Sequence, residues 1–272
     1  LPAVEAIPAA TRQAVRRGRR TCLRAGLAAA AALALPGCGL MRRPVTLPMG
    51  TLRFAGPCRG LAPVLLVMLP GAYSDPREFV DEGYVEAVRS RGLAADVVIA
   101  DAHLGYFEDR SVFVRLREDV LQPARAAGYR QVWLVGISLG GFAALGVAAR
   151  RIAPVDGIVA LAPYLGQRTL LKAIDDAGGP LAWAGRNPPR AGTDELDADI
   201  WRWLATRPAE PPVFLGAGRS DRFADAHRTM ATLLPAERVR EAEGGHDWPA
   251  WRALWNGWLD RRLLPAACPG GA

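Results

Sequence analysis

The stretch that most constrains this chain is QVWLVGISLGGFAALGVAARR, residues 131–151. Residues 132–135 (VWLV) form a short apolar run of the kind that makes a buried strand. Gly136-Ile137-Ser138-Leu139-Gly140 follows as G-x-S-x-G, with Gly141 extending it. Residues 142–149 are apolar and mostly small, and Arg150 and Arg151 stand where cations favour a helix C-terminus. Strand, sharp turn and helix are the context in which G-x-S-x-G lifts a serine above the end of a sheet. Gly136 and Gly140 leave room for other chain to pass close by. Ser138 Oγ would then stand at a helix N-terminus, whose dipole favours developing negative charge. The bland alternative is a glycine-rich turn whose serine caps a helix. With 29 Gly in the chain such a turn is not rare, so the other residues must decide.

Runs at 45–54, 63–69 (PVLLVML), 94–100, 156–162, 213–217 and 238–242 (RVREA), most of them apolar, predict further strands. Helices are expected over 76–91, over 112–127 between Ser111 as cap and Gly128 as stop, and over the Trp-rich 248–264 with Pro249 in its first turn. Strands alternating with helices predict an α/β fold: a mostly parallel central sheet with helices on both faces. Ligands in such sheets sit at the C-terminal ends of the strands. Residues 166–208, rich in Gly, Pro and Trp, break the rhythm and read as a small cap insertion. Trp183, Trp201 and Trp203 within it either line a pocket or pack the cap onto the body.

A serine nucleophile needs a neutral imidazole on a loop that can reach it. The chain has three His. His246, in EGGHDW between the last strand and the last helix, has that setting. His227 falls in an expected helix after Asp225 and reads as a surface residue. His103 follows a strand, where it either lines the site or is a hydrogen-bonded structural histidine. The orienting acid should follow an earlier strand. Asp221 in GAGRSD fits; Asp225 is the runner-up, and Asp247 is too close in sequence to orient its neighbour. Gly216-Ala217-Gly218 does not complete a dinucleotide fingerprint, because Asp221 stands where the third glycine belongs. With no P-loop, H-E-x-x-H or C-x-x-C, the sequence gives no reason to expect a metal or an organic cofactor.

The order Ser138, Asp221, His246 is the one found in α/β-hydrolases. Residues 61–264 resemble that superfamily, and the pieces GISLGGFAAL and GGHDWPAWRALW resemble its esterase D-like group. The resemblance implies Ser138 as nucleophile, His246 as base and Asp221 as orienter. It also implies an oxyanion hole from the backbone N–H of Leu139 and a second donor after the strand ending at Leu69, at Ala72. Many relatives carry His-Gly after that strand, whereas this chain has Pro70-Gly71; a backbone donor survives the change because it needs no particular side chain. The implied activity is ester cleavage through an acyl-enzyme, on a small-molecule or lipid ester. A thioesterase or acyltransferase would use the same three residues, and a non-catalytic binding protein on an inactive hydrolase fold is the alternative of another class.

The net charge of +7 does not argue for nucleic acid. Residues 1–37 carry six Arg against Glu5, which leaves 28 basic and 26 acidic residues in the remainder. Arg16-Arg17-Gly18-Arg19-Arg20 reads as the positive region of a signal segment, and 25–35 as its apolar region, too short for a comfortable membrane span. Leu35-Pro36-Gly37-Cys38 resembles the lipobox of bacterial lipoproteins, and Arg19-Arg20 resembles a twin-arginine signal. The expected organisation is a signal peptide over 1–37, a tether over 38–50, a catalytic domain over 51–264 and a tail over 265–272. The expected location is the bacterial cell envelope, lipid-anchored, with the outer membrane favoured. Of four Cys, Cys58 and Cys268 remain outside the signal region; an exported chain can bridge them, and separate thiols are the alternative. Lipidation makes Cys38 the anchor point, so Cys38→Ser should move the protein from the membrane to the soluble fraction. Mass spectrometry finding an unmodified N-terminus at Cys38 in the native host would overturn it.

Overall fold

The computed structural model of the chain describes residues 43–206, 209–264 and 268. The expected signal peptide, Cys38 and the first five tether residues lie outside them. Seven described strands form one sheet in the order β1-β3-β2-β4-β5-β6-β7. They are β1 (Thr51–Phe54), β2 (Val64–Leu69), β3 (Ala95–Ala100), β4 (Gln131–Ile137), β5 (Gly157–Leu161), β6 (Val213–Gly218) and β7 (Val239–Ala242). Only β1, at one edge, runs antiparallel to its neighbour.

The central strands are apolar on both faces because both faces are covered. In β2 all six residues are buried. Leu65, Val67 and Leu69 face the layer that holds helices Leu139–Ala149, Leu196–Ala205 and Ala224–Ala231. Val64, Leu66 and Met68 face the opposite layer, built from Phe79, Tyr84 and Val88 and from Trp251, Trp255 and Trp258 of the terminal helix Trp248–Leu259.

Several elements differ from the sequence expectation. The helix over 76–91 is two, Pro76–Asp81 and Tyr84–Arg89, because Gly83 takes a left-handed φ of 76° between them. The run 112–127 is helical, with Leu116–Leu121 wound as π-helix, and ends at Gly128 (φ 98°). Ser111 is not its side-chain cap; instead Asp109 accepts from both the N–H and the hydroxyl of Ser111. The strand expected over 45–54 shrinks to Thr51–Phe54, since Pro44 and Pro48 lack the N–H a ladder needs. Nor are 43–50 a loose tether. Met49 is 3% exposed and donates its N–H to Asp119 at 2.8 Å, and Thr46 hydrogen-bonds Tyr106. The folded body therefore begins by residue 43.

The segment expected to form a cap carries helices Arg168–Asp176, Pro180–Arg186 and Leu196–Ala205. Trp201 is fully buried, and its Nε1 donates to Leu165 O at 2.8 Å. Trp183 is buried beneath the Arg202 guanidinium. Both are packing residues, and Trp203 is half-buried against the same core. Cys58 and Cys268 form a disulfide with Cα atoms 5.6 Å apart. It closes a loop of 210 residues, which in the chain-entropy picture restricts the unfolded chain by about 5 kcal/mol. Trp201→Ala should cost ~3–5 kcal/mol, as loss of a large buried ring does, read as a lower urea midpoint at unchanged slope. A loss below ~1 kcal/mol would mean that this ring does not hold helix Leu196–Ala205 in place.

Candidate active site

β4 and β2 end side by side, with Leu69 opposite Gly136. The chain then turns at Ser138, with φ 53° and ψ −113°, directly into helix Leu139–Ala149. Such a conformation costs a non-glycine residue about 1–3 kcal/mol. Three backbone hydrogen bonds hold it: Ser138 N–H donates to Leu161 O at 3.0 Å, and Ser138 O accepts from Phe142 N–H at 3.1 Å and Tyr164 N–H at 3.0 Å. A Cβ at Gly136 would collide with the Gly140 carbonyl, and one at Gly140 with the Leu69 carbonyl. The two motif glycines thus permit backbone to lie on backbone, as their spacing suggests.

Asp221 and His246 come from the exits of β6 and β7. These exits are stitched together: Arg219 N–H donates to Ala242 O at 2.9 Å and Ser220 N–H to Gly244 O at 3.0 Å. Asp221 Oδ1 accepts from Phe223 N–H at 2.8 Å, and its Oδ2 lies 2.8 Å from His246 Nδ1. His246 Nε2 lies 2.9 Å from Ser138 Oγ. Ser138, His246 and Asp221 therefore make one continuous hydrogen-bonded chain from three strand exits. The Asp221 side chain is wholly buried and that of His246 is 10% exposed. Burial works to raise the Asp221 pKa, but bonds from His246 and the Phe223 amide, with the nearby imidazoles, outweigh it and hold the carboxyl below its ordinary value. The His246 ring is pinned edge-to-face between Phe223 and Trp251, at centroid distances of 5.1 and 5.0 Å.

On the other side of Ser138 runs the loop after β2. A Cβ built on Gly71 would be 3.7 Å from Ser138 Cβ. The next residue, Ala72, accepts from Leu104 N–H through its carbonyl at 3.3 Å, and among the described residues its amide makes no hydrogen bond. Leu139 is the first residue of its helix, where the N–H has no partner within the helix. Both amides expected to bind an oxyanion thus lie in chain that flanks the hydroxyl.

The other candidates fall elsewhere. Asp225 is exposed and pairs with Arg228, whereas the carboxylate hydrogen-bonded to His246 is that of Asp221. Asp247 caps the terminal helix, accepting from Ala250 N–H and Gly245 N–H at 3.1 Å, and so fixes the turn that carries His246. His103 is a structural residue: 3% exposed, its Nδ1 accepts from Gly105 N–H and caps helix Leu104–Glu108. His227 is not on the surface but 3% exposed, with Nε2 2.9 Å from Pro163 O. That carbonyl can only accept, so Nε2 carries the hydrogen and Nδ1 is left as a buried lone pair that finds no partner among the described residues. Phe223, Trp251 and Asp247 were not singled out as site residues by sequence; only Asp247, before Trp-Pro at a helix start, carries a readable local signal. Among the described residues no group of three or more His, Cys, Asp or Glu side chains converges as a metal site. Nor is any described helix long and apolar enough to cross a membrane.

A serine–histidine–aspartate chain at the C-terminal ends of a mostly parallel seven-stranded sheet defines an α/β-hydrolase fold. The chain belongs to the alpha/beta hydrolase family, whose profile matches residues 66–269. No sequence among the curated proteins matches it significantly. Among solved structures it is similar to an S-formylglutathione hydrolase of Staphylococcus aureus, with TM-score 0.57 at 14% identity over 78% of this chain and 92% of that one. It is also similar to fluorophosphonate-binding serine hydrolase F of the same organism, with TM-score 0.53 at 13% identity over 79% and 98%. MenH of Staphylococcus aureus gives TM-score 0.51 at 16% identity over 78% and 98%. At such identities the likeness is one of fold.

Burial of His227, ahead of the smaller effects around it, holds its pKa below the ordinary imidazole value. The unfolded chain then binds the proton more readily than the folded one. Stability should fall as pH drops below about 6.5, the unfolded value, toward the lower folded one. His227→Gln, which keeps a donor for Pro163 O, should flatten part of that decline; His103, also held low mainly by burial, sustains the rest. Urea midpoints at pH 7.5 and 5.5 for both proteins check this, and identical declines would show that His227 does not contribute.

Proposed function

We propose that this chain is a serine hydrolase that cleaves carboxylic esters through an acyl-enzyme. The observation that carries the reading is the unbroken relay from Ser138 Oγ through the His246 ring to Asp221, at 2.9 and 2.8 Å. Asp221 accepts from Nδ1–H, which leaves the Nε2 lone pair facing the hydroxyl. Ser138 Oγ attacks the acyl carbonyl while its proton passes to Nε2. The tetrahedral oxyanion is met by the amides of Leu139 and Ala72 at the N-terminus of helix Leu139–Ala149. Nε2–H then protonates the departing alkoxide, and the alcohol leaves. Water attacks the acyl-enzyme, giving its proton to Nε2, and collapse returns that proton to Ser138 and frees the acid.

Within the family, the pieces GISLGGFAAL and GGHDWPAWRALW favour the esterase D-like group, and the substrate is a small-molecule or lipid ester. The Arg-rich segment and Cys38 favour export and a lipid anchor in the cell envelope, at the outer membrane.

Ser138→Ala should lower kcat on a p-nitrophenyl ester by roughly 10³-fold or more. A fluorophosphonate probe should label the wild type at Ser138 and leave the variant unlabelled. Full activity in Ser138→Ala, or no labelling of the wild type, would end the assignment.

A further inference from the structure

The strap that precedes β1 reaches the candidate site through one side chain. Arg43 Nη2 donates to Ser74 O at 2.8 Å. Its Nη1 lies 2.7 Å from Asp101 Oδ1 and 3.5 Å from Asp75 Oδ2. Ser74 and Asp75 belong to the loop that leaves β2, and Asp101 follows β3 directly. One guanidinium therefore bridges two strand exits from a third part of the chain. The pairing with Asp101 is an ion pair rather than an aligned hydrogen bond.

The loop from Gly71 to Asp75 has few other fixings on the side of Ala72. Ser74 N–H donates to Gly71 O at 3.2 Å within the turn, and Leu104 N–H reaches Ala72 O at 3.3 Å. Tyr73 is 72% exposed and makes no hydrogen bond among the described residues. Asp75 is fixed on its own side by the capping box of helix Pro76–Asp81, its N–H donating to Glu78 Oε1 at 2.8 Å. Nearer Ala72 the two backbone hydrogen bonds are long, and the Arg43 contact to Ser74 O is shorter than either. The strap is itself held, by Thr46 on Tyr106, by Met49 on Asp119 and by Asp101 N–H on Gly50 O. Charge points the same way. Asp75 and Asp101 are two carboxylates in the chain that leaves β2 and β3, and Arg43 is the cation that reaches both.

We propose that Arg43 is a positioning residue: it fixes the loop after β2 at Ser74 so that the Ala72 amide stands ready for the oxyanion. This rests on the ester-hydrolase reading of the site. A donor moved out of line is lost in the transition state more than in the ground state. Among the described residues no hydrogen bond or ion pair joins Arg43 to Ser138, His246 or Asp221, so binding of the ester should be little affected.

The test uses the full chain with Arg43→Ala and Arg43→Lys, and a fluorophosphonate titration to count competent sites in each. Per titrated site, Arg43→Ala should lower kcat on p-nitrophenyl acetate about tenfold or more, with KM changed less than ~3-fold, since the loss is confined to transition-state binding. A boronic acid that forms a tetrahedral adduct with serine should lose affinity by a similar factor. Arg43→Lys should recover part of kcat, because it keeps the charge but not the forked reach. An unchanged kcat per site in Arg43→Ala would overturn the proposal, as would a rise in KM that accounts for the whole loss, or a lysine variant no better than alanine. If Arg43→Ala does not fold, the lysine variant decides alone: wild-type kcat and boronate affinity per site would overturn the proposal. A wild-type chain that neither labels nor hydrolyses the ester overturns the hydrolase reading instead.

Discussion

The site depends on a contact made by no side chain at all, the approach of the Gly140 backbone to the carbonyl of Leu69. A Cβ at Gly140 would collide with that carbonyl, and one at Gly136 with the carbonyl of Gly140. Because both are absent, the ends of β2 and β4 and the first turn of helix Leu139–Ala149 meet in one small volume. That closeness drives Ser138 into positive φ, and Leu161, Phe142 and Tyr164 hold it there. The same closeness puts the loop after β2 beside the hydroxyl. Ser138 and the loop after β2 are thus set by a single packing event. The helix behind them is apolar on every side and buried from Gly140 to Ala148, so it cannot slide to relieve the turn.

On the other flank the same economy is achieved with hydrogen bonds. A Cβ at Gly218 would lie 2.5 Å from the Gly245 carbonyl, so the Asp221 and His246 loops share one close contact. Asp221 is wholly buried, which alone would favour its neutral form. It stays charged because the Phe223 amide and the His246 ring both donate to it. The ring in turn is confined by Phe223 and Trp251, leaving it little freedom except the orientation that faces Ser138.

Much of this was legible in the sequence, for physical reasons. Strands covered on both faces must be apolar throughout, so VLLVML and VWLV stand out in the sequence. Polar residues with chemistry must sit at strand exits, which selected Ser138, Asp221 and His246 in their chain order. What was hidden depends on distant partners or on single backbone angles. The apolar spacing of 76–91 continues across Gly83, so periodicity could not show the break. His227 looked like a surface residue because its neighbours Asp225 and Arg228 are exposed, while its own partner, Pro163, is 64 residues away. The bridging of Cys58 and Cys268 was undecidable, since it turns on a separation that only the fold creates. Trp183 and Trp201 carried no signal telling a pocket from a core, because a large apolar ring serves either.

The segment 43–50 shows most plainly why composition misleads about linkers. Two Pro and one Gly within eight residues look like a spacer. Proline does remove ladder donors, and the strand duly starts only at Thr51. Loss of a ladder is not loss of docking, however. The remaining N–H groups of Thr46 and Met49 find side-chain acceptors in Tyr106 and Asp119, 60 and 70 residues away in sequence. A segment that cannot join the sheet can still lie across its helices, provided that side chains supply the acceptors strands would have supplied. Here they do, and the chain entering the domain is thereby brought to the exits of β2 and β3, where its arginine meets the loop beside Ser138.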